Sequence, residues 1–102
     1  MKQFLIKYRH TNGTAEDWHK EIAKFIAGID GDPALTGKVG YRCMKGRDSA
    51  DYYHIATVFD DTARVALQER AFFKHYTEAT RVVSGGSVEV VPLEMIAETA
   101  MA

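Results

Sequence analysis

The stretch KVGYRCMKGRDSADYYHIATVF, residues 38–59, reads as two strands and the turn between them. On the first, 38–46, Val39, Tyr41 and Cys43 alternate with Lys38, Arg42 and Met44, as a half-buried strand requires. Arg47-Asp48-Ser49-Ala50 supplies a hairpin turn. The return strand, 51–59, is rich in aromatic and β-branched residues. It carries Ile55, Thr57 and Phe59 on one face and Ala56 and Val58 on the other.

Outward from this hairpin lies a helix on each side. Before it, Trp18, Ile22, Phe25, Ile26 and Ile29 recur at the spacing of one buried stripe, predicting a helix from about Ala15 to Ile29. Thr14 caps it, with Asp17 three residues on, and Gly31 and Pro33 stop it. After the hairpin, Val65, Phe72, Phe73, Tyr76, Ala79 and Val83 form the apolar side of a helix from about Asp61 to Val83. Asp60 or Asp61 caps it and Ser84-Gly85-Gly86 ends it. The outermost pieces are strands again. In residues 2–10, Phe4, Ile6, Tyr8 and His10 share one face. Residues 87–97 contain Pro92, which cannot donate to a ladder, so that strand lies at a sheet edge or bends there.

The order is therefore βαββαβ, a ferredoxin-like α+β domain with two helices on one face of a four-stranded antiparallel sheet. Two helices cover only one side. The other side of so small a sheet is apolar enough to ask for a partner, and a homodimer with sheets face to face is expected. The segment after Pro92 (LEMIAET) is placed to reach across to the other subunit.

Composition limits the function. The 102 residues, 46% hydrophobic and 26% charged, make one domain spanning 1–102. Thirteen basic and fourteen acidic residues give a net charge of −1, with no electrostatic reason to expect nucleic acid or an anionic membrane. No apolar run approaches the ~20 residues of a membrane span, and the N-terminus is not a signal peptide. One cysteine, Cys43, excludes an internal disulfide and reads as a packing residue, in keeping with a reducing cytoplasm. There is no HxxxH, no HxH and no acidic cluster at ligand spacing, so no metal site is expected. Gly85-Gly86 follows a helix rather than leading into one, so it is not a phosphate loop.

With this element order, the segment Ala71-Phe72-Phe73-Lys74-His75-Tyr76-Thr77 and the ending Val88-Glu89-Val90-Val91-Pro92-Leu93-Glu94, the chain resembles the dimeric α+β barrel superfamily. Its closest part is similar to the antibiotic biosynthesis monooxygenase domains. The resemblance covers nearly the whole chain. It implies a dimer with a pocket between helices and sheet in each subunit. It also implies one of three activities: cofactor-independent oxygenation of a small phenol- or polyketide-like aromatic, haem binding or degradation, or non-catalytic ligand binding in a stress-related dimer. Fold alone does not choose among them.

The residues expected to reach that pocket are Trp18 and Ile22 from the first helix, and Phe72, Phe73, His75 and Tyr76 from the second. The sheet offers Tyr8, His10, Tyr53 or His54, depending on register. His75 is the leading candidate base, because imidazole titrates near neutrality and can take a phenolic proton. It also looks similar to the helix histidine that holds haem iron in the haem-degrading branch, which makes haem the alternative cofactor to none. The plain alternative is a solvated histidine at the helix margin. Tyr76 orients the substrate, and His54 is a second base or a satisfied structural donor. Trp18, Ile22, Phe72, Phe73 and Tyr53 form the substrate wall, or in the case of Trp18 simply core. Arg42 is a candidate anchor for a carboxylate or a solvated edge residue. The haem-degrading and quinone-forming relatives carry a tryptophan near the end of the third strand. Here that region is Val58-Phe59-Asp60-Asp61, and the only asparagine is Asn12.

Overall fold

The computed structural model describes residues 1–101. Its strands are β1 (Lys2–Arg9), β2 (Val39–Lys45), β3 (Asp51–Val58) and β4 (Val88–Leu93). Its helices are α1 (Ala15–Asp30), α2 (Asp61–Glu69) and α3 (Ala71–Val83). The sheet order is β2-β3-β1-β4, antiparallel at every ladder. This is the expected βαββαβ fold, and Pro92 does lie in an edge strand, opposite Phe4.

Local chemistry sets the helix ends. The Thr14 hydroxyl accepts from the Asp17 N–H at 3.2 Å, and the Asp60 carboxylate accepts from the Ala63 N–H at 2.8 Å. Asn12 donates its side-chain amide to the Val82 carbonyl at 2.8 Å, so the β1–α1 loop closes the end of α3. Gly85 and Gly86 then turn the chain with φ of 70° and 90°, conformations that side chains rarely adopt.

The expected single helix over 61–83 is two helices. Arg70 between them is extended, with φ −73° and ψ 137°. Its guanidinium is held by Asp32 of the α1–β2 loop, with Nε 2.6 Å from Oδ2. The break resets the apolar phase. α2 buries Ala63 and Leu67 instead of Val65, which is 42% exposed. The expected last strand over 87–97 is likewise shorter, and residues 94–101 have no regular structure.

The core lies between helices and sheet. Trp18, Ile22, Phe25 and Ile29 of α1 meet Tyr8, Val39, Tyr52, Val58, Leu67 and Tyr76. Gly28 lets α3 come close: a Cβ there would meet the Phe72 ring at 3.0 Å. The opposite sheet face has no helix over it. Leu5, Ile55 and Val91 are half-buried on it, and Met44, Tyr53 and Leu93 are exposed. No helix among the described residues is long and apolar enough to cross a membrane.

Candidate functional site

Register decides which strand residues face the helices. His54 pairs with Ile6 of β1 and Cys43 of β2. Side chains directly opposite share a face, and the diagonal neighbours two residues on lie within reach of long side chains. Those neighbours are Tyr8 and Tyr41. His54 thus sits in the middle of the sheet with a tyrosine on each side, and α3 lowers Tyr76 onto it. The imidazole is completely buried, and both its nitrogens are engaged. Nε2 lies 2.9 Å from the Tyr8 hydroxyl, and Nδ1 lies 2.8 Å and 3.1 Å from the hydroxyls of Tyr41 and Tyr76. These last two are 3.3 Å from each other.

Hydrogen accounting assigns the tautomer. The Trp18 indole N–H, which can only donate, gives to the Tyr8 oxygen at 2.8 Å. The Tyr8 hydroxyl hydrogen then has one acceptor, His54 Nε2. The imidazole proton is therefore on Nδ1, facing Tyr41 and Tyr76. Of their two phenol hydrogens, one bridges the pair. The other has no oxygen or nitrogen acceptor in the network, only the soft Cys43 sulfur beside Tyr76. Every group is neutral. Burial pushes His54 down to about 4 and raises the phenols of Tyr8, Tyr41 and Tyr76 well above the ordinary tyrosine value. Burial also pushes the Cys43 thiol up to about 11.

Tyr41 and Tyr76 open onto a cleft of about 520 Å³ between the helices and the β1–β4 side of the sheet. Its walls include Phe4, Ile6, Val58, Leu67 and Phe73, and exposed Val88 and Val90 complete one lip. The expected pocket between helices and sheet is present. Behind it, stacked aromatics fix the tyrosines. Tyr76 lies flat on Phe25 at 3.9 Å and on Trp18 at 5.6 Å, and Tyr8 stacks on Tyr52 at 5.3 Å.

The structure brings together His54, Tyr76 and Phe73 of the expected residues, and it separates the others. His75 leaves the group. Its side chain is 69% exposed, with Nε2 3.0 Å from Glu21 Oε2, because it precedes Tyr76 by one residue, a turn of about 100° on the helix, and points away from the sheet. That contact holds the Glu21 carboxyl below its usual range. Tyr53 is on the uncovered face, one residue out of phase with His54. Trp18 and Ile22 are core rather than cleft wall, Trp18 acting only through its hydrogen bond to Tyr8. Phe72 lines a separate groove between α1 and α3, beside His75. His19 bonds the Tyr52 hydroxyl at 2.8 Å, and Arg42 is exposed. Tyr41 is the residue the sequence reading missed. The alternation that put it with Val39 and Cys43 was the signal, but it needed the β2–β3 register to place it beside His54. Among the described residues no three His, Cys, Asp or Glu side chains are grouped to hold a metal ion.

No family model and no curated protein matches the sequence. Solved structures do match it in fold. The N63A mutant of SnoaB, a cofactor-independent oxygenase from Streptomyces nogalater, superposes with a TM-score of 0.74 at 22% identity, covering 95% of this chain and 94% of that one. A putative antibiotic biosynthesis monooxygenase from Caulobacter crescentus gives 0.76 at 12% identity, over 94% and 90%. A dimeric ferredoxin-like protein of unknown function from Jannaschia gives 0.63 at 19% identity, over 93% and 100%. The chain has the fold of the antibiotic biosynthesis monooxygenase structures.

Proposed function

We propose that the protein is a cofactor-independent monooxygenase acting on a small, planar, phenol- or polyketide-like molecule bound in the cleft. One observation carries this reading: a fully buried histidine hydrogen-bonds two tyrosines, Tyr41 and Tyr76, that line a largely apolar cleft with charged residues at its rim. The oxygenase named among the fold matches supports it.

The resting hydrogen bonds run from Trp18 through Tyr8 and His54 toward the cleft, offering a hydroxyl hydrogen to a ligand oxygen. A ligand with its own acidic O–H reverses them. It donates to Tyr41 or Tyr76, that tyrosine donates to Nδ1, and Nε2–H donates to Tyr8, whose own hydrogen gives up its acceptor at a cost of about 1–3 kcal/mol that ligand binding must offset. Moving the ligand's proton along this line leaves an imidazolium at His54 and an anion in the cleft. Each charge compensates the other where either alone is costly. The electron-rich anion reduces O2. One oxygen atom converts a methylene of the substrate to a carbonyl, and the other leaves as water. Tyr76 orients the substrate, as the sequence suggested, and His54 takes the role that the sequence gave to His75.

The test is oxygen uptake with an anthrone substrate, without added flavin, metal or haem, above the uncatalysed background. Wild type and His75→Ala should agree within about twofold. His54→Gln keeps hydrogen bonding but removes the titrating nitrogen, and should lose about a hundredfold or more. Uptake indifferent to His54 would sink the mechanism. A haemin titration with a Soret shift present in wild type and absent in His75→Ala would move the site to the α1–α3 groove. Tight binding of aromatics with no uptake would make this a binding protein.

The same reading includes a homodimer built on the uncovered sheet face, where Leu5, Ile55, Val91 and Leu93 are available to bury. Sedimentation should give twice the chain mass at micromolar concentration, and Ile55→Lys should give monomer. A wild-type monomer across the whole concentration range would refute it.

A further inference from the structure

The cleft has a second polar feature, at its rim. Three charged residues line it: Arg64, Glu78 and Arg81. Two of them cancel. The Arg81 guanidinium is bound side-on by the Glu78 carboxylate, with Nε 3.0 Å from Oε2 and Nη2 on Oε1. Arg64 is different. Its Nη1 donates to the Gln68 side-chain oxygen at 3.2 Å, a neutral partner. Its Nε reaches Asp61 Oδ1 only at 3.4 Å, and that carboxylate is shared with Lys2 at 3.5 Å. Two cations thus share one anion, and Arg64 Nη2 has no hydrogen-bond partner among the described residues. The Arg64 side chain is 38% exposed, so it is partly shielded from the water that would screen it.

Resting on the proposed function, we infer that Arg64, steadied by Gln68, is a subsite for a carboxylate carried by the aromatic substrate. A planar guanidinium with a free edge matches a planar monoanion, and a charge-assisted hydrogen bond at a half-buried site exceeds a neutral one. The substrate then lies with its phenolic oxygen on Tyr41 and Tyr76, its rings against Ile6, Leu67 and Phe73, and its carboxylate at the rim. Arg64 is a specificity residue, apart from the proton-transfer line. Arg81 contributes no charge to binding because Glu78 occupies it.

The experiment compares two probes on the full chain, a dihydroxyanthraquinone carboxylate and the otherwise identical carboxamide. Affinity is followed by quenching of Trp18, which stacks on Tyr76. Wild type should prefer the carboxylate by about tenfold, with a preference that shrinks in high salt. Arg64→Gln should erase the preference and leave carboxamide affinity unchanged, while the Glu78→Gln/Arg81→Gln double variant, which removes both members of the neutral pair, should keep it. Equal binding of both probes by wild type would overturn the subsite alone, leaving the cleft as an aromatic site. A preference that survives Arg64→Gln, or disappears in the Glu78→Gln/Arg81→Gln double variant, would overturn it too. Binding of neither probe would overturn both the subsite and the function it rests on. Unchanged thermal melting of Arg64→Gln confirms that the comparison is between folded proteins.

Discussion

His54→Leu should lower stability by about 3 kcal/mol, a melting-temperature loss of roughly 15 °C for a chain of this length. Leucine is close in volume to histidine, so the cost is polar and little of it is a cavity. Tyr8 keeps the Trp18 N–H as donor but loses the acceptor of its own hydrogen. Tyr41 and Tyr76 keep only their 3.3 Å contact with each other. A buried group without a partner costs its desolvation, about 1–3 kcal/mol each, and the three hydroxyls share one lost ring. Against a total of about 5–15 kcal/mol this is a large fraction. His54→Gln, which restores one donor and one acceptor, should recover part of the loss. Urea unfolding of the three proteins settles it. A leucine variant as stable as wild type would show that the hydroxyls are satisfied elsewhere and that His54 does not organise the cluster.

The same residue shows what the sequence could and could not reveal. The element order was legible because each element carries its own period: alternation in 39–45 and 51–58, and an i, i+4, i+7 stripe in α1. The break at Arg70 was not legible. The helical period runs through it, and the ion pair that Arg70 makes at the break reaches to Asp32, thirty-eight residues away in sequence. The site was half legible for a similar reason. Alternation says that Tyr8 shares a face with Ile6, and Tyr41 with Cys43. Only the register says that both faces meet at His54. His75 attracted attention through its helix context, yet one residue of helical rotation separates Tyr76, on the cluster, from His75, on Glu21. Strand register and helix phase are settled by the packing of the whole core, so residues that depend on both are the last that a linear reading can fix.

Stability should also be lost as pH falls through a window that belongs to His54. In the unfolded chain its imidazole has an ordinary value near 6.5; in the fold, burial pushes it down to about 4. Between these values the unfolded chain binds a proton that the folded chain refuses, so stability rises with pH across the window. The contribution is complete above about pH 6.5 and is lost as pH falls toward 4. A difference of this size is worth about 3 kcal/mol in all, of which about 2 kcal/mol disappears between pH 6.5 and 5. The lowered carboxylates Asp32, Glu21, Asp61 and Glu78 have the same sign but act at more acidic pH, since their ordinary values are 3.8 or 4.5 and their folded values lie lower still. They leave the upper part of the window to the histidine. Urea midpoints at pH 7 and pH 5 should therefore differ strongly in wild type and much less in His54→Leu. An equal slope in the two proteins would assign the effect to other groups. The proposed mechanism ties this slope to activity: the imidazolium that the empty fold excludes is the one a substrate anion must stabilise. Binding an anionic transition-state mimic should therefore raise the His54 value and shift the acid limb of unfolding to lower pH.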